Sequence, residues 1–260
     1  MQAFLRTLLF CLCSFQAAAQ PTTYSVKNAH SHNDYEQKVP FFTAYKAGFG
    51  SIEADVWLVN NELIVAHDST EVQKHRTLKS LYLIPLLTAT QNHDGLVYAD
   101  SARDLQMLID IKTDSINTLA NLVSLLESLP ELSKNPSIHW VITGNRPDPS
   151  TFGSYPSFIR FDGQLSKDYS PAALSKISML SNDFEYYSKW NGDGQIPDFD
   201  LKLLQAAVQK SHTLHKPVRF WDAPDNKNAW TRLMQLKVDF INTDHIQELA
   251  GFLGHPSSSP

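Results

Sequence analysis

Cysteine is nearly absent from this chain of 260 residues: Cys11 and Cys13 are the two, and both lie within the first thirteen positions. Past that point no disulfide can form, so packing has to hold the body of the protein together. No apolar run approaches the ~20 residues that span a bilayer, which argues against a transmembrane segment. Lys and Arg nowhere gather into a run longer than two, and the formal net charge is −5. Both facts argue against nucleic-acid binding by phosphate neutralisation and against a strong pull onto anionic membranes. No internal repeat is visible, and the one low-complexity piece is the tail, residues 256–260, read as disordered.

What is present begins with a leader-like segment. Residues 1–16 carry a single Arg6 and an apolar stretch at 8–12, followed by Ala17-Ala18-Ala19. Small residues after a short apolar core mark signal-peptide cleavage, so residues 1–19 are expected to be removed and the protein to be exported, periplasmic or secreted. Leu12 stands where a lipidated Cys13 would need a small neighbour, which disfavours a lipoprotein.

From residue 20 to 255 short apolar runs alternate with longer amphipathic ones, the rhythm of a parallel sheet covered by helices. Strands are expected at 24–30, 51–58, 105–112, 138–143, 157–161, 177–180, 217–221 and 238–242, with a hairpin-like excursion at 62–67. Helices are expected at 41–47, stopped by Gly48, at 114–129 between an Asp114 cap and Pro130, at 199–212 and at 226–236. Residues 68–100 lack strand or helix regularity and read as a loop insertion. Eight strands alternating with helices imply a single-domain (β/α)8 TIM barrel, with its chemistry at the C-terminal strand ends.

The functional residues fall at those ends. Glu53 and Asp55 are two apart on a strand, so they share a face, and paired carboxylates repel unless a cation lies between them. Asp110 interrupts the apolar strand Leu108-Ile109-Asp110-Ile111 and supplies a third carboxylate. Oxygen donors without cysteine suit one hard divalent ion, Mg²⁺ or Ca²⁺. Lys112 shares the face of Asp110 and could pair with a phosphoryl oxygen. Of ten histidines, His30, His32 and His67 end strands and could serve as general base and acid. His75, His93, His212, His215 and His255 are read as surface, and His139 as a core or lining residue.

These residues carry a resemblance. His30, Glu53-Ala54-Asp55, His67-Asp68, Asp110-Ile111-Lys112, Trp221 and the closing Val238-Asp239-Phe240-Ile241-Asn242-Thr243-Asp244 are ordered as in the superfamily of glycerophosphodiester phosphodiesterases and phosphatidylinositol-type phospholipases C. Sphingomyelinases D belong to the same superfamily. The opening His-Ser-His-Asn-Asp-Tyr is similar to an uncharacterised bacterial and fungal branch of it. The resemblance implies a phosphodiesterase that acts on a soluble or lipid phosphodiester. One divalent ion would be held by Glu53, Asp55 and Asp110, His30 and His67 would exchange protons, and Trp221 would line the pocket. His32 is then a second ligand or a substrate contact.

Asn33, Arg146 and Asp162 stand at or after strand ends and are further candidates for substrate contacts. The His-Arg and Pro-Glu-Asn-Thr signatures of true glycerophosphodiesterases are missing, so the headgroup stays open, as do the oligomeric state and the choice between hydrolysis and cyclisation. Two other readings start from the same residues. His30-x-His32 also resembles the opening of binuclear amidohydrolase-type and polymerase-and-histidinol-phosphatase-type hydrolases, but strands five and six offer no further histidine ligands. A barrel that binds phosphoesters without cleaving them is the third.

Overall fold

Strand alternation divides the apolar residues of this protein into two separate cores. In the computed structural model, which describes residues 20–73 and 75–254, the strands Ser51–Val59 (β2) and Leu105–Ile111 (β4) send Ile52, Ala54, Val56, Met107, Ile109 and Ile111 outward. There they meet apolar faces of the surrounding helices, including Leu119, Leu122, Leu204 and Trp230. The opposite faces of the same strands point inward. They carry Ser51, Glu53, Asp55, Gln106 and Asp110, and the apolar filling on that side is a small plug of Leu108, Val141 and Met179 with Phe240 against it. The inside of the sheet is therefore polar above a short apolar floor.

Among the described residues, eight parallel strands run round a barrel in chain order. Ala29–Ser31 (β1) lies between β2 and Ile241–Thr243 (β9). Beyond β4 come Ile138–Gly144 (β5), Ile159–Gln164 (β6), Ile177–Asp183 (β7) and Val218–Trp221 (β8). Glu62–Val65 (β3) folds back antiparallel on β2, as the excursion at 62–67 foretold. Between β8 and β9 the barrel is nearly closed by a bridge from Arg219 to Phe240. The helices are Phe42–Ala47 (α1), Ile84–Asn92 (α2), Ser115–Glu127 (α3), Pro130–Ser133 (α4), Pro171–Lys176 (α5), Asp198–Thr213 (α6), Lys227–Gln235 (α7) and Ile246–Gly254 (α8). The expected TIM barrel is what the chain forms, as a single domain.

Several elements depart from the sequence expectation for identifiable reasons. Residues 68–100 are not simply a loop: a π-helical turn, Lys79–Leu83, runs into α2 and buries Leu78, Tyr82, Leu83 and Leu86. The wide turn shifts the phase of the apolar residues, which hides a 3.6-residue period. The first strand is shorter than 24–30, because Val26–Asn28 forms a 3₁₀ turn in which the Ser25 amide donates to Asn28 Oδ1 at 3.2 Å. Tyr24 Oη donates to the Val238 carbonyl at 2.8 Å and pins that turn to the end of α7.

The last strand starts late, since Asp239 is engaged elsewhere. Its Oδ2 accepts from the Val218 amide and contacts His212 Nε2, each at 2.8 Å. His212 is thus a half-buried structural histidine and not a surface one, while His139, expected to be internal, is exposed beside Asp104 at the lower end of β5. The leader 1–19, His255 and the tail 256–260 lie outside the described residues.

Candidate active site

The strand register assembles the acidic cluster. Asp55 on β2 stands directly opposite Asp110 on β4, with Glu53 one inward position below, and ligand atoms of all three lie within 4.8 Å of one another. Lys112, just past β4, reaches Asp55 Oδ2 and Asp110 Oδ2, each at 2.9 Å. The remaining oxygens, Asp55 Oδ1 and Asp110 Oδ1, are buried with no hydrogen-bond partner among the described residues. Orphaned carboxylate oxygens on adjacent buried acids are what a hard cation satisfies, so the donor set fits one divalent ion.

The local fields agree. Burial, then the charges of Glu53 and Asp110, push Asp55 up to about 7, and Asp110 is raised by burial and by Glu53. Glu53 behaves oppositely. Burial raises it, but the Arg219 charge and the His30 bond outweigh that and hold it ionised below the usual carboxylate range. Lys112 loses by burial and gains more from Asp110 and Asp55, so it stays firmly charged.

The two histidines of the first strand occupy different depths. His30 is fully buried, with Nδ1 2.7 Å from Ser51 Oγ and Nε2 2.7 Å from Glu53 Oε2. Burial and then Arg219 lower it to about 4, so it is neutral. His32 is at the mouth, its Nδ1 2.9 Å from Asp244 Oδ1. Burial lowers its pKa, yet the Asp244 bond and the Glu53 charge raise it overall. Asp244 is itself positioned, its amide donating to Asp225 Oδ2 at 2.8 Å. His67 is 58% exposed, 3.8 Å from Asp55 Oδ2 and 3.1 Å from Tyr35 Oη.

Tyr35 ties these parts together, because its hydroxyl also lies 2.8 Å from Asp55 Oδ2 and 2.8 Å from Asn33 Oδ1. Asn33 is left-handed with φ 44°, the turn that lets Asp34 point away from the site. Asp34 is buried and accepts from Ser31 Oγ, the Phe41 amide and Tyr82 Oη, which makes it a loop anchor. Burial raises its pKa to about 6. A carboxyl raised in the folded state stabilises below its unfolded value and loses that contribution as pH rises through the folded one. We expect unfolding free energy of Asp34→Asn to decline less than wild type between pH 4 and 7, by about 2–3 kcal/mol. Parallel urea titrations at the two pH values would measure it, and equal declines would refute it.

The other expected substrate contacts are not brought to the cluster directly. Arg146 and Asp162 meet each other, the guanidinium donating to the Asp162 carbonyl, in a cleft of about 860 Å³ that begins at Lys112 and runs over β4 to β6. Asp162 is buried there, its Oδ2 accepting from Ser181 Oγ at 2.5 Å and Thr143 Oγ1 at 3.0 Å. Trp221 stands at the rim, 39% exposed.

The sequence reading missed Arg219. Its Nη1 lies 2.8 Å from Glu53 Oε2, 2.6 Å from His30 Nε2 and 3.1 Å from Asn242 Oδ1, in the middle of the barrel. A signal existed, a charge between Val218 and Phe220 in an apolar strand, the same reasoning that singled out Asp110. Tyr35 and Asp244 fall within the motifs that carry the resemblance, but no local feature marked their contacts in the site.

Comparison with known proteins agrees with this geometry. Residues 21–135 match the AIM6-like phosphodiesterase domain, and residues 217–247 match the glycerophosphoryl diester phosphodiesterase family. The two matches contain the acidic cluster, the histidines and Arg219. The chain belongs to the glycerophosphodiester-phosphodiesterase-like superfamily. Within it, altered inheritance of mitochondria protein 6 of Kluyveromyces lactis is 27% identical over 87% of this chain and 72% of that protein. The Lachancea thermotolerans protein of that name is 29% identical over 86% and 65%. A homolog in Arthroderma benhamiae is 26% identical over 86% and 82%. The crystal structure of a glycerophosphodiester phosphodiesterase from Parabacteroides distasonis superposes with a TM-score of 0.55 at 15% identity, covering 89% of this chain and 98% of that one. That likeness is one of fold.

These superfamily relatives correct one expectation. Export was inferred from residues 1–19, whereas the relatives carry a name that refers to mitochondrial inheritance. An acid-free segment with an Arg and a serine has features common to secretory and organellar leaders, so its composition does not fix an address. No helix of the described residues is long and apolar enough to cross a membrane.

Proposed function

We propose that this protein is a phosphodiesterase that cleaves a phosphodiester at the mouth of the barrel, with one divalent ion, Mg²⁺ or Ca²⁺, held by Glu53, Asp55 and Asp110. The observation that carries the reading is the cluster itself, the buried Glu53 and Asp55 with the half-buried Asp110, two orphaned oxygens, an ammonium between them and histidines on both sides. Bound there, a cation would neutralise charge on the non-bridging phosphate oxygens. Lys112 would add a second positive charge beside it. Three carboxylates with no histidine among them favour a hard ion over a binuclear transition-metal site.

Proton exchange needs ring nitrogens that can reach the substrate. His67 is exposed, and His32 keeps Nε2 free while Asp244 holds Nδ1, the carboxylate-backed arrangement of a general base. We assign the acid and base roles to these two, and to His30, both of whose nitrogens are engaged, the holding of Glu53. The family resemblance, which gives the proton-exchanging role on the first strand to His30, supports a second assignment, in which His30 takes the place of His32 as proton carrier.

Asn33, Arg146, Asp162 and Trp221 are left as substrate contacts, Arg146 and Asp162 through the cleft beside Lys112. A substrate with a hydroxyl next to its phosphate would give a cyclic phosphate, and others would be hydrolysed by water. The test is turnover by the purified protein of glycerophospho-, inositol- and choline-type phosphodiesters, soluble and lipid, followed by phosphorus NMR with chelator and with added ions. We expect activity that chelator removes and Mg²⁺ or Ca²⁺ restores. Restoration by Zn²⁺ or Mn²⁺ alone would favour the binuclear reading, and binding without turnover a phosphoester-binding barrel.

A further inference from the structure

At the end of β5 the chain passes so close to Asp110 that there is no room for a side chain. Gly144 pairs with Ile111 across the sheet and has φ +68°. A Cβ built on it would overlap Asp110 Oδ1, lie 3.0 Å from Asp110 Cγ and lie 2.6 Å from the Ile111 carbonyl oxygen. That carbonyl cannot move freely, because it accepts the Asn145 amide at 2.8 Å where β5 leaves the sheet. The part that can move is the carboxylate. Rotating it away would break its 2.9 Å contact with Lys112 and take its oxygens out of the three-acid cluster. Asp110 Oδ1 is the orphaned atom under this glycine, covered by backbone that comes close without donating to it.

We propose that Gly144 is a positioning residue: its missing Cβ sets the rotamer of Asp110 and thereby the affinity of the cluster for its cation. The proposal rests on the reading of Glu53, Asp55 and Asp110 as a cation site. It separates two reasons for glycine here. One is the left-handed backbone, which a side chain strains at many positions. The other is the space above Asp110, which is particular to this one. Gly194 supplies the control, since it has φ +63° and nothing within 4 Å of a Cβ. Gly194→Ala carries the strain without the overlap.

The experiment titrates Ca²⁺ and Mg²⁺ calorimetrically into the full-length wild type, Gly144→Ala, Gly194→Ala, Asp110→Ala and the double variant Gly144→Ala/Asp110→Ala, and records the melting temperature of each without metal. We expect Gly144→Ala to weaken cation binding tenfold or more and Gly194→Ala to leave it unchanged, with the larger loss of melting temperature in Gly144→Ala, whose Cβ also meets the Ile111 carbonyl. In the Asp110→Ala background Gly144→Ala should change affinity no further, the non-additivity of two residues that act through one contact.

Wild-type affinity in Gly144→Ala would overturn the proposal, and so would an equal loss in Gly194→Ala or a further loss in the double variant. If Gly144→Ala melts too low for titration, the double variant should melt higher than it does, because the overlapping carboxylate is gone while the contact with the Ile111 carbonyl stays; a double variant no more stable than Gly144→Ala also overturns it. A wild type that binds neither ion would remove the cation-site reading and this inference together, whereas binding in the wild type with no effect of Gly144→Ala removes the inference alone.

Discussion

Asp110→Asn is expected to stay folded and to lose phosphodiester turnover by about 10³-fold, the scale of several kcal/mol of transition-state charge stabilisation. In the absence of metal its melting temperature should equal or exceed that of the wild type. Burial first, and then the charges of Glu53 and Asp110, raise Asp55 to about 7, and the substitution removes one of those repelling charges. The stabilisation that added Mg²⁺ or Ca²⁺ confers on the wild type should vanish with it.

Glu53→Gln is expected to behave differently although it targets the same cluster. For a cation ligand with no other role, such an exchange would remove activity and spare the fold. In the structure Glu53 is the partner of Arg219, with side chains 5% and 3% exposed. Neutralising one member of such a pair leaves an uncompensated buried charge, at a cost of about 3–5 kcal/mol. For a chain of this length that lowers the melting point on the order of 10 °C. Calorimetry of both variants with and without metal decides the matter. Wild-type turnover in Asp110→Asn, or wild-type melting in Glu53→Gln, would contradict the assignments.

The second large effect separates the histidines. His67→Ala and His32→Asn should each reduce kcat by 10²- to 10⁴-fold, the usual range for general acid–base catalysis, while cation affinity stays close to wild type. His30→Asn should instead weaken cation binding, because it removes the group that orients Glu53 Oε2. Measuring kcat and calorimetric affinity on the same three proteins gives a result for each. If His30→Asn loses kcat with cation affinity intact while His32→Asn keeps its activity, the proton carrier is the deeper histidine, and the mouth pair proposed above is wrong.

Much of this protein was legible before any coordinate. Charged residues that interrupt apolar strands at spacing two, Glu53 with Asp55 and Asp110 with Lys112, announce an inward-facing polar site, because strand alternation is a local property of the chain. The alternation of strands and helices specifies the barrel for the same reason, and the order of the motifs places the chain in its superfamily. The signal failed where local periodicity was broken, at the π-helical turn before α2, and where a composition has more than one cause, in the leader.

Tertiary structure alone decided the rest. That Arg219 meets Glu53, that Tyr35 joins Asp55 to His67, that Asp244 backs His32 and that Gly144 leaves room for Asp110 all depend on contacts between segments far apart in the chain. Register and closure set those distances, and neither is a property of any short stretch of residues. Sequence by itself determined which chemical groups this protein brings to the barrel mouth. How deep each group is buried, and with which partner, followed only from folding, since burial and partner charge decide which carboxylate is ionised and which histidine has a nitrogen free.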